Sequence, residues 1–240
     1  MNLHSAVDEP PEPAARPLQG WAATPVVNPI HPQAVEAGVT LDAWLRVIDV
    51  LEARELTPLT RHRLQDSRRL CQELANVLAG TEPGEGKAEE RSLFCVRARG
   101  RTQAMSSMFA CPRGTFIELL VTAPWNLLSR EDPADPRTVR GAGTALVREA
   151  MARSHRRGCL GRVSLQAENP RTLPFYERFG FHRMSLADRP LTLVPPGEYG
   201  WSPSLLRVAL GTPGPEEARS PWLVLDAGRR SEDFGPGRAA

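Results

Sequence analysis

The six residues Arg140-Gly141-Ala142-Gly143-Thr144-Ala145, running directly into an amphipathic stretch, constrain this chain more than any other part of it. Two glycines let the backbone approach a ligand closely and adopt angles that a Cβ forbids. The helix predicted to follow turns its unpaired N–H groups and the positive end of its dipole back onto the loop. That combination is a seat for phosphate or pyrophosphate. Two other phosphate loops fail on chemistry. A Walker loop needs a Lys-Ser/Thr pair, and no lysine lies near Gly143. A dinucleotide fingerprint needs a third glycine where Leu146 stands, and a strand leading directly into the loop. The preceding Asp132-Pro133-Ala134-Asp135-Pro136 is no strand. The plain alternative is a glycine-rich turn before a surface helix.

A second signal lies downstream, where Asn169 is followed by Tyr176 seven residues on and then by Gly180-Phe181. Together the two segments resemble the GNAT superfamily of acyl-CoA-dependent N-acyltransferases. Arg140, Gly143 and Ala145 fill the defined places of the family's Arg/Gln-x-x-Gly-x-Gly/Ala loop. Asn169, Phe175, Tyr176, Glu177, Gly180 and Phe181 match its later helix, while Thr172 stands where a small Ala is usual. The resemblance implies an α/β (α+β) fold: a mixed, mostly antiparallel central sheet flanked by helices. It also implies acetyl-CoA as cosubstrate, no metal, and an amine acceptor.

Composition sets the outer bounds. At 240 residues the chain suits one domain with extensions. Hydrophobic content of 41% and charged content of 24% are ordinary for a globular protein. A net charge of +2 gives no electrostatic reason to expect nucleic acid or an acidic membrane as partner. No apolar run is long enough to span a bilayer, and Met1-Asn2-Leu3-His4-Ser5 lacks the pattern of a secretion signal. Cys71, Cys95, Cys111 and Cys159 are scattered without metal-ligand spacing and read as buried free thiols of a reducing compartment. The cytoplasm is the expected location. Exposed edge strands in such domains often pair, so a homodimer stays open.

Residues 1–35 hold seven prolines and few large apolar groups. They read as a disordered arm, or one draped over the domain, because little burial offsets ordering entropy. The acyltransferase-like domain is expected over 36–228, and 229–240 as a frayed tail. Leu41, Trp44, Leu45, Ile48 and Leu51 fall on one helical face. Thr57-Pro58 starts a second helix, Leu70, Leu74, Val77 and Leu78 form its stripe, and Gly80 stops it. Strands are expected near 92–97, 103–110, 115–122, 162–167, 181–186 and 221–226, with 115–122 and 162–167 as parallel neighbours. Pro124 to Val139 is an insertion by the family's pattern, since few residues normally separate the strand from the loop arginine. It reads either as a tolerated surface loop or as an acceptor lid or wall with Trp125 at its base.

Acyl transfer to an amine asks a protein to hold the thioester, stabilise an oxyanion and protonate the departing thiolate. By the resemblance, the N–H groups of Arg140, Gly141, Ala142, Gly143, Thr144 and Ala145 bind the pyrophosphate. Backbone groups of Leu120, Val121 and Thr122 take the pantetheine arm, and the Leu120 N–H faces the oxyanion. Tyr176 is the general acid; its alternative is a packed aromatic with a satisfied hydroxyl. Asn169 caps its helix and stands near the cofactor. Glu118 is either a base or water relay, or a glutamate facing solvent from the sheet, with Glu168 and His182 as reserves. A valine at Gly143 is expected to weaken CoA binding while sparing the fold. The activity implied is acetyl transfer from acetyl-CoA to a primary amine of a small molecule or peptide; the alternative is a non-catalytic acyl-CoA-binding module.

Overall fold

The computed structural model describes residues 23–26, 32–79, 91–111, 113–184 and 221–226. The expected Gly80 stop, the polar loop after it, the continuation of the 181–186 strand past Met184 and the frayed tail lie outside these residues. The first helix, α1 (Pro32–Glu52), buries Ala37, Leu41, Trp44, Ile48 and Leu51, the face that its spacing marks. The second, α2 (Pro58–Ala79), starts at the proline that the sequence marks, and Thr57 Oγ1 caps it by accepting from Thr60 N at 3.3 Å. Its buried stripe is Thr60, Leu64, Ser67, Cys71 and Leu74, whereas Leu70 and Leu78 are only partly buried. The stripe thus departs from pure hydrophobicity, and its polar members are hydrogen-bonded.

Among the described residues seven strands form one sheet: β1 (Ala23–Val26), β2 (Arg91–Ala98), β3 (Arg101–Cys111), β4 (Gly114–Thr122), β5 (Val163–Gln166), β6 (His182–Arg183) and β7 (Trp222–Leu225), in the order β1-β2-β3-β4-β5-β7-β6. All neighbours are antiparallel except β4 and β5, which run parallel as expected from the intervening helix α3 (Ala142–Arg156). Strand β1 lies inside the stretch expected as a disordered arm and pairs with β2 through Ala23↔Val96 to Val26↔Leu93. Its Pro25 is tolerated because the strand is at the edge. A short helix α4 (Leu173–Glu177) follows a 3-10 turn, Pro170–Thr172.

Two cores sandwich the sheet. On one face α3 and α4 bury Leu146, Val147, Ala150, Tyr176 and Phe181 against Phe94, Val96, Met108, Ile117, Val163 and Leu165. On the other, α1 and α2 cover Leu93, Cys95, Met105 and Val121. Arg153 of α3 lies over the Phe94 ring at 5.7 Å. Gly158 (φ 76°) follows the end of α3 in a left-handed conformation. All four cysteines are free; three are buried, while Cys159 is partly exposed. Burial pushes the thiols of Cys71, Cys95 and Cys111 up to about 11. No helix of the described residues is long and apolar enough to cross a membrane.

Candidate functional site

The site is organised by a break in the sheet. Strands β4 and β5 pair only through Thr115↔Val163, Phe116↔Ser164 and Ile117↔Leu165. On its other side β4 pairs with β3 along its whole length, with a bulge between Ser107↔Leu119 and Met108↔Ile117. Glu118 is therefore the extra residue. A bulge bends and twists its strand, and here the pairing with β5 stops at it. Beyond the bulge Leu119 to Thr122 have no β5 ladder partner, so the two strands splay. The Ser106 hydroxyl donates to the Leu119 carbonyl at 2.7 Å and steadies the bent segment.

The start of α3 faces this splayed end. Gly141 occupies the N-cap with φ 99°, a left-handed conformation that glycine adopts without strain. No side chain caps the helix. The first helical bond is Ala145 N to Gly141 O at 3.0 Å, which leaves the N–H groups of Ala142, Gly143 and Thr144 without an acceptor inside the helix. Gly143 is buried, and a Cβ placed on it would stand 3.4 Å from Phe175 Cζ and 3.7 Å from both Leu120 Cδ2 and Thr122 Cγ2. The glycine loop, the free end of β4 and the Phe175-Tyr176 segment thus meet at one point. Leu120 and Thr122 are half-buried there and turn their backbone groups away from β3, whereas the Val121 side chain packs against α1 and α2 and its backbone faces Met105 in the β3 ladder. A Cβ at 143 thus makes only ordinary contacts, and it is the methyl groups beyond it that a valine would have to fit beside the Phe175 ring.

Arg140 does not point into open solvent. It donates to the carbonyls of Asn126 at 3.0 Å and Leu128 at 2.9 Å, both in the insertion. The insertion itself is a packed element. Trp125 stands edge-on to Trp44 at 6.3 Å, and Leu128 packs with Ile48, Leu51 and Leu64. Asp132 accepts from Thr57 N at 2.8 Å, from Ser129 N and Oγ at 2.7 Å each, and from the Thr60 hydroxyl. Burial works against its charge, but these bonds outweigh it and hold the carboxyl well below its usual range. The insertion is therefore wedged between the α1–α2 turn and the glycine loop.

Tyr176 is buried in α4, with Phe175 at 5.0 Å and Phe181 at 5.6 Å, both edge-on. Gly180 (φ 88°) closes the helix, letting Phe181 N reach Tyr176 O at 3.3 Å and sink Phe181 into the core. That is why a Gly-Phe pair follows the tyrosine. No described residue hydrogen-bonds the Tyr176 hydroxyl. Burial, and then the negative charge of Glu168, raise its pKa further above the ordinary phenol value.

Glu118 approaches from the opposite face of the sheet. Arg91 NH2 donates to its Oε1 at 2.6 Å and the Ser107 hydroxyl to its Oε2 at 2.6 Å, so both carboxylate oxygens are engaged. It is therefore held against the sheet rather than turned to open solvent, with 22% of its side chain exposed. Arg91 and Ser107 carry no sequence signal that would single them out. Asn169 caps the 3-10 turn by accepting from Arg171 N at 2.9 Å, and its amide donates to Asp66 of α2 at 2.8 Å. Glu168 pairs with Arg69, and His182 lies 3.7 Å from Asp226. Both reserves are held in surface pairs. Among the described residues no cluster of His, Cys, Asp and Glu has the arrangement of a metal site.

Residues 135–181 match the family model described as Acetyltransferase (GNAT) family. The match covers both the glycine loop and the Asn169–Phe181 segment. A comparison with curated proteins found no match. Similar solved structures include an acetyltransferase of the GNAT family from Desulfovibrio desulfuricans, 14% identical over 86% of this chain and 99% of that one, with a TM-score of 0.41. A PaiA N-acetyltransferase from Thermoplasma acidophilum in complex with coenzyme A is 12% identical over 85% and 99%, with a TM-score of 0.43. A GCN5-related N-acetyltransferase structure from Rhodopseudomonas palustris is 16% identical over 85% and 96%, with a TM-score of 0.42.

Proposed function

With residues 135–181 carrying the signature of the GNAT acetyltransferase family, we propose that this chain transfers an acetyl group directly from acetyl-CoA to a primary amine of a small molecule or peptide. One observation carries the reading: the uncapped start of α3, the end of β4 beyond its β5 partners and the Phe175-Tyr176 segment converge around Gly143. A helix start with three free N–H groups suits a pyrophosphate. The N–H and carbonyl groups of Leu120 and Thr122, which turn away from β3 and are unmatched by β5, suit the amides of a pantetheine arm laid along the strand, with Val121 between them. The Leu120 N–H is the donor proposed for the oxyanion.

In the reaction the amine nitrogen bonds to the thioester carbon, the carbon–sulfur bond breaks, and the electron pair leaves on sulfur. Sulfur then needs a proton. Tyr176 holds one firmly at neutral pH, since burial and the Glu168 charge both favour its neutral form. It stands on one face of the splayed sheet and Glu118 on the other, so acid and proton acceptor would flank the thioester. Glu118 keeps acceptor sites beyond those that Ser107 and Arg91 fill, and it would take a proton on one of them, directly or through water.

The test is acetyl-CoA binding by calorimetry, followed by thiol release with a panel of amines. Amine-dependent thiol release is the expected result. Tight CoA binding without release would leave the chain as an acyl-CoA-binding module. No CoA binding would remove both readings.

A further inference from the structure

The insertion ahead of the glycine loop has a polar clasp at its base. Gln103 of β3 is almost fully buried, with 1% exposure. Its Oε1 accepts from Trp125 Nε1 at 2.9 Å and from Asn126 Nδ2 at 3.0 Å, and its backbone carbonyl accepts from Ala123 N at 2.9 Å. The other end of the Asn126 amide turns the opposite way, and its Oδ1 accepts from Val139 N at 2.8 Å. The Asn126 carbonyl takes Arg140 NH1, and Thr138 Oγ1 donates to the Trp125 carbonyl at 2.8 Å. Residues 127–138 are thus an excursion whose two ends are closed by one side chain, in the manner of an Ω-loop. Both amide ends of Asn126 are used, one on the sheet and one on the residue just before Arg140.

We infer that Asn126, anchored by Gln103, is the positioning residue that sets where the Arg140–Ala145 loop sits, and that the insertion acts as a brace for the CoA site rather than as a lid over the acceptor. The inference rests on the proposed CoA-binding role of that loop. Asn126 pins Val139, and Arg140 hangs on the Asn126 and Leu128 carbonyls, so the first residues of the loop are fixed to β3 and not to the far tip of the insertion. The Arg140 guanidinium is already committed to two carbonyls, which leaves the backbone N–H groups of α3 as the phosphate donors. The Asp132 hub, at the other end of the insertion, fastens the excursion to the start of α2.

The experiment measures CoA binding by calorimetry on the full chain, alongside steady-state kinetics. Asn126→Ala is expected to weaken CoA about tenfold, the worth of one or two hydrogen bonds that hold the site in register. The KM for acetyl-CoA should rise in step, with kcat and the acceptor KM unchanged. Asn126→Asp keeps the acceptor for Val139 N–H but sets a carboxylate oxygen against Gln103 Oε1, which Trp125 Nε1 holds in place, so the anchor to the sheet is lost and CoA affinity should fall as in Asn126→Ala. Asp132→Ala should lower the melting temperature and leave CoA affinity unchanged. Equal affinity in wild type and folded Asn126→Ala would overturn the inference, as would an equal loss in Asp132→Ala. If Asn126→Ala does not fold, Gln103→Met decides, because it removes the same anchor from the sheet side: weakened CoA supports the clasp and unchanged CoA overturns it. A wild type that binds no CoA would overturn the proposed function itself, and the inference with it.

Discussion

Tyr176 combines burial with a hydroxyl that no described residue engages, and the two together decide what it can do. A phenol whose pKa is raised, by burial first and by Glu168 second, stays protonated across the neutral range. It can donate but cannot serve as a base. Tyr176→Phe removes the hydroxyl and keeps the ring contacts with Phe175 and Phe181. Turnover is expected to fall by about 10²- to 10⁴-fold, the usual worth of a general acid, while CoA affinity barely changes. The loss should shrink with an acyl donor whose leaving thiol has a low pKa, and an equal loss with both donors would point to packing instead. The residue was legible from its motif position. Its burial was not, because that depends on Phe181 and on β-strands far away in the chain.

At the scale of elements, Gly143 shows how a motif residue carries two duties. The open backbone at a helix start was readable from the glycine pair, but the closeness of Phe175, Leu120 and Thr122 was not. Gly143→Val should therefore weaken CoA binding and also destabilise the fold by about 1–3 kcal/mol, the usual cost of overpacking. Calorimetry with a thermal melt checks both, and an unchanged melting temperature would show that Phe175 can move aside. The strands followed their alternation, and the helices α1 and α3 followed their apolar faces. The buried face of α2 did not follow its leucines alone, because Thr60 and Ser67 find hydrogen-bond partners in the folded state. The bulge at Glu118 left no trace in composition. It is a matter of register between two strands, and register is set by partners.

For the whole molecule, Asp132 is the tie between the insertion and the α1–α2 turn, bonding to residues 72 and 75 positions away. Its folded pKa is depressed, so the folded state binds the proton less tightly than the unfolded chain does. The stability it contributes is present above the unfolded value of about 4 and is lost as pH falls below it. Asp132→Asn is expected to cost about 2–3 kcal/mol at pH 7, since buried donors lose a charged acceptor. The melting temperature of the variant should also depend less on pH between about 5 and 2 than that of the wild type. Parallel slopes for the two proteins would show that Asp132 is not the group that titrates.

What the sequence determined by itself is what short-range chemistry can encode. A glycine pair before an amphipathic helix, a Tyr–Glu–x–x–Gly–Phe run and alternating strands each express a local backbone requirement, and each stands where it was read. Tertiary structure decided which distant groups meet: Gln103 with Asn126, Arg91 with Glu118, Asp66 with Asn169, and Ala23–Val26 with β2. The reason is physical. A buried polar group must find a partner, but nothing in its own neighbourhood of the chain says which one, and only the closed packing of two helical layers on a splayed sheet brings the pairs within bonding distance.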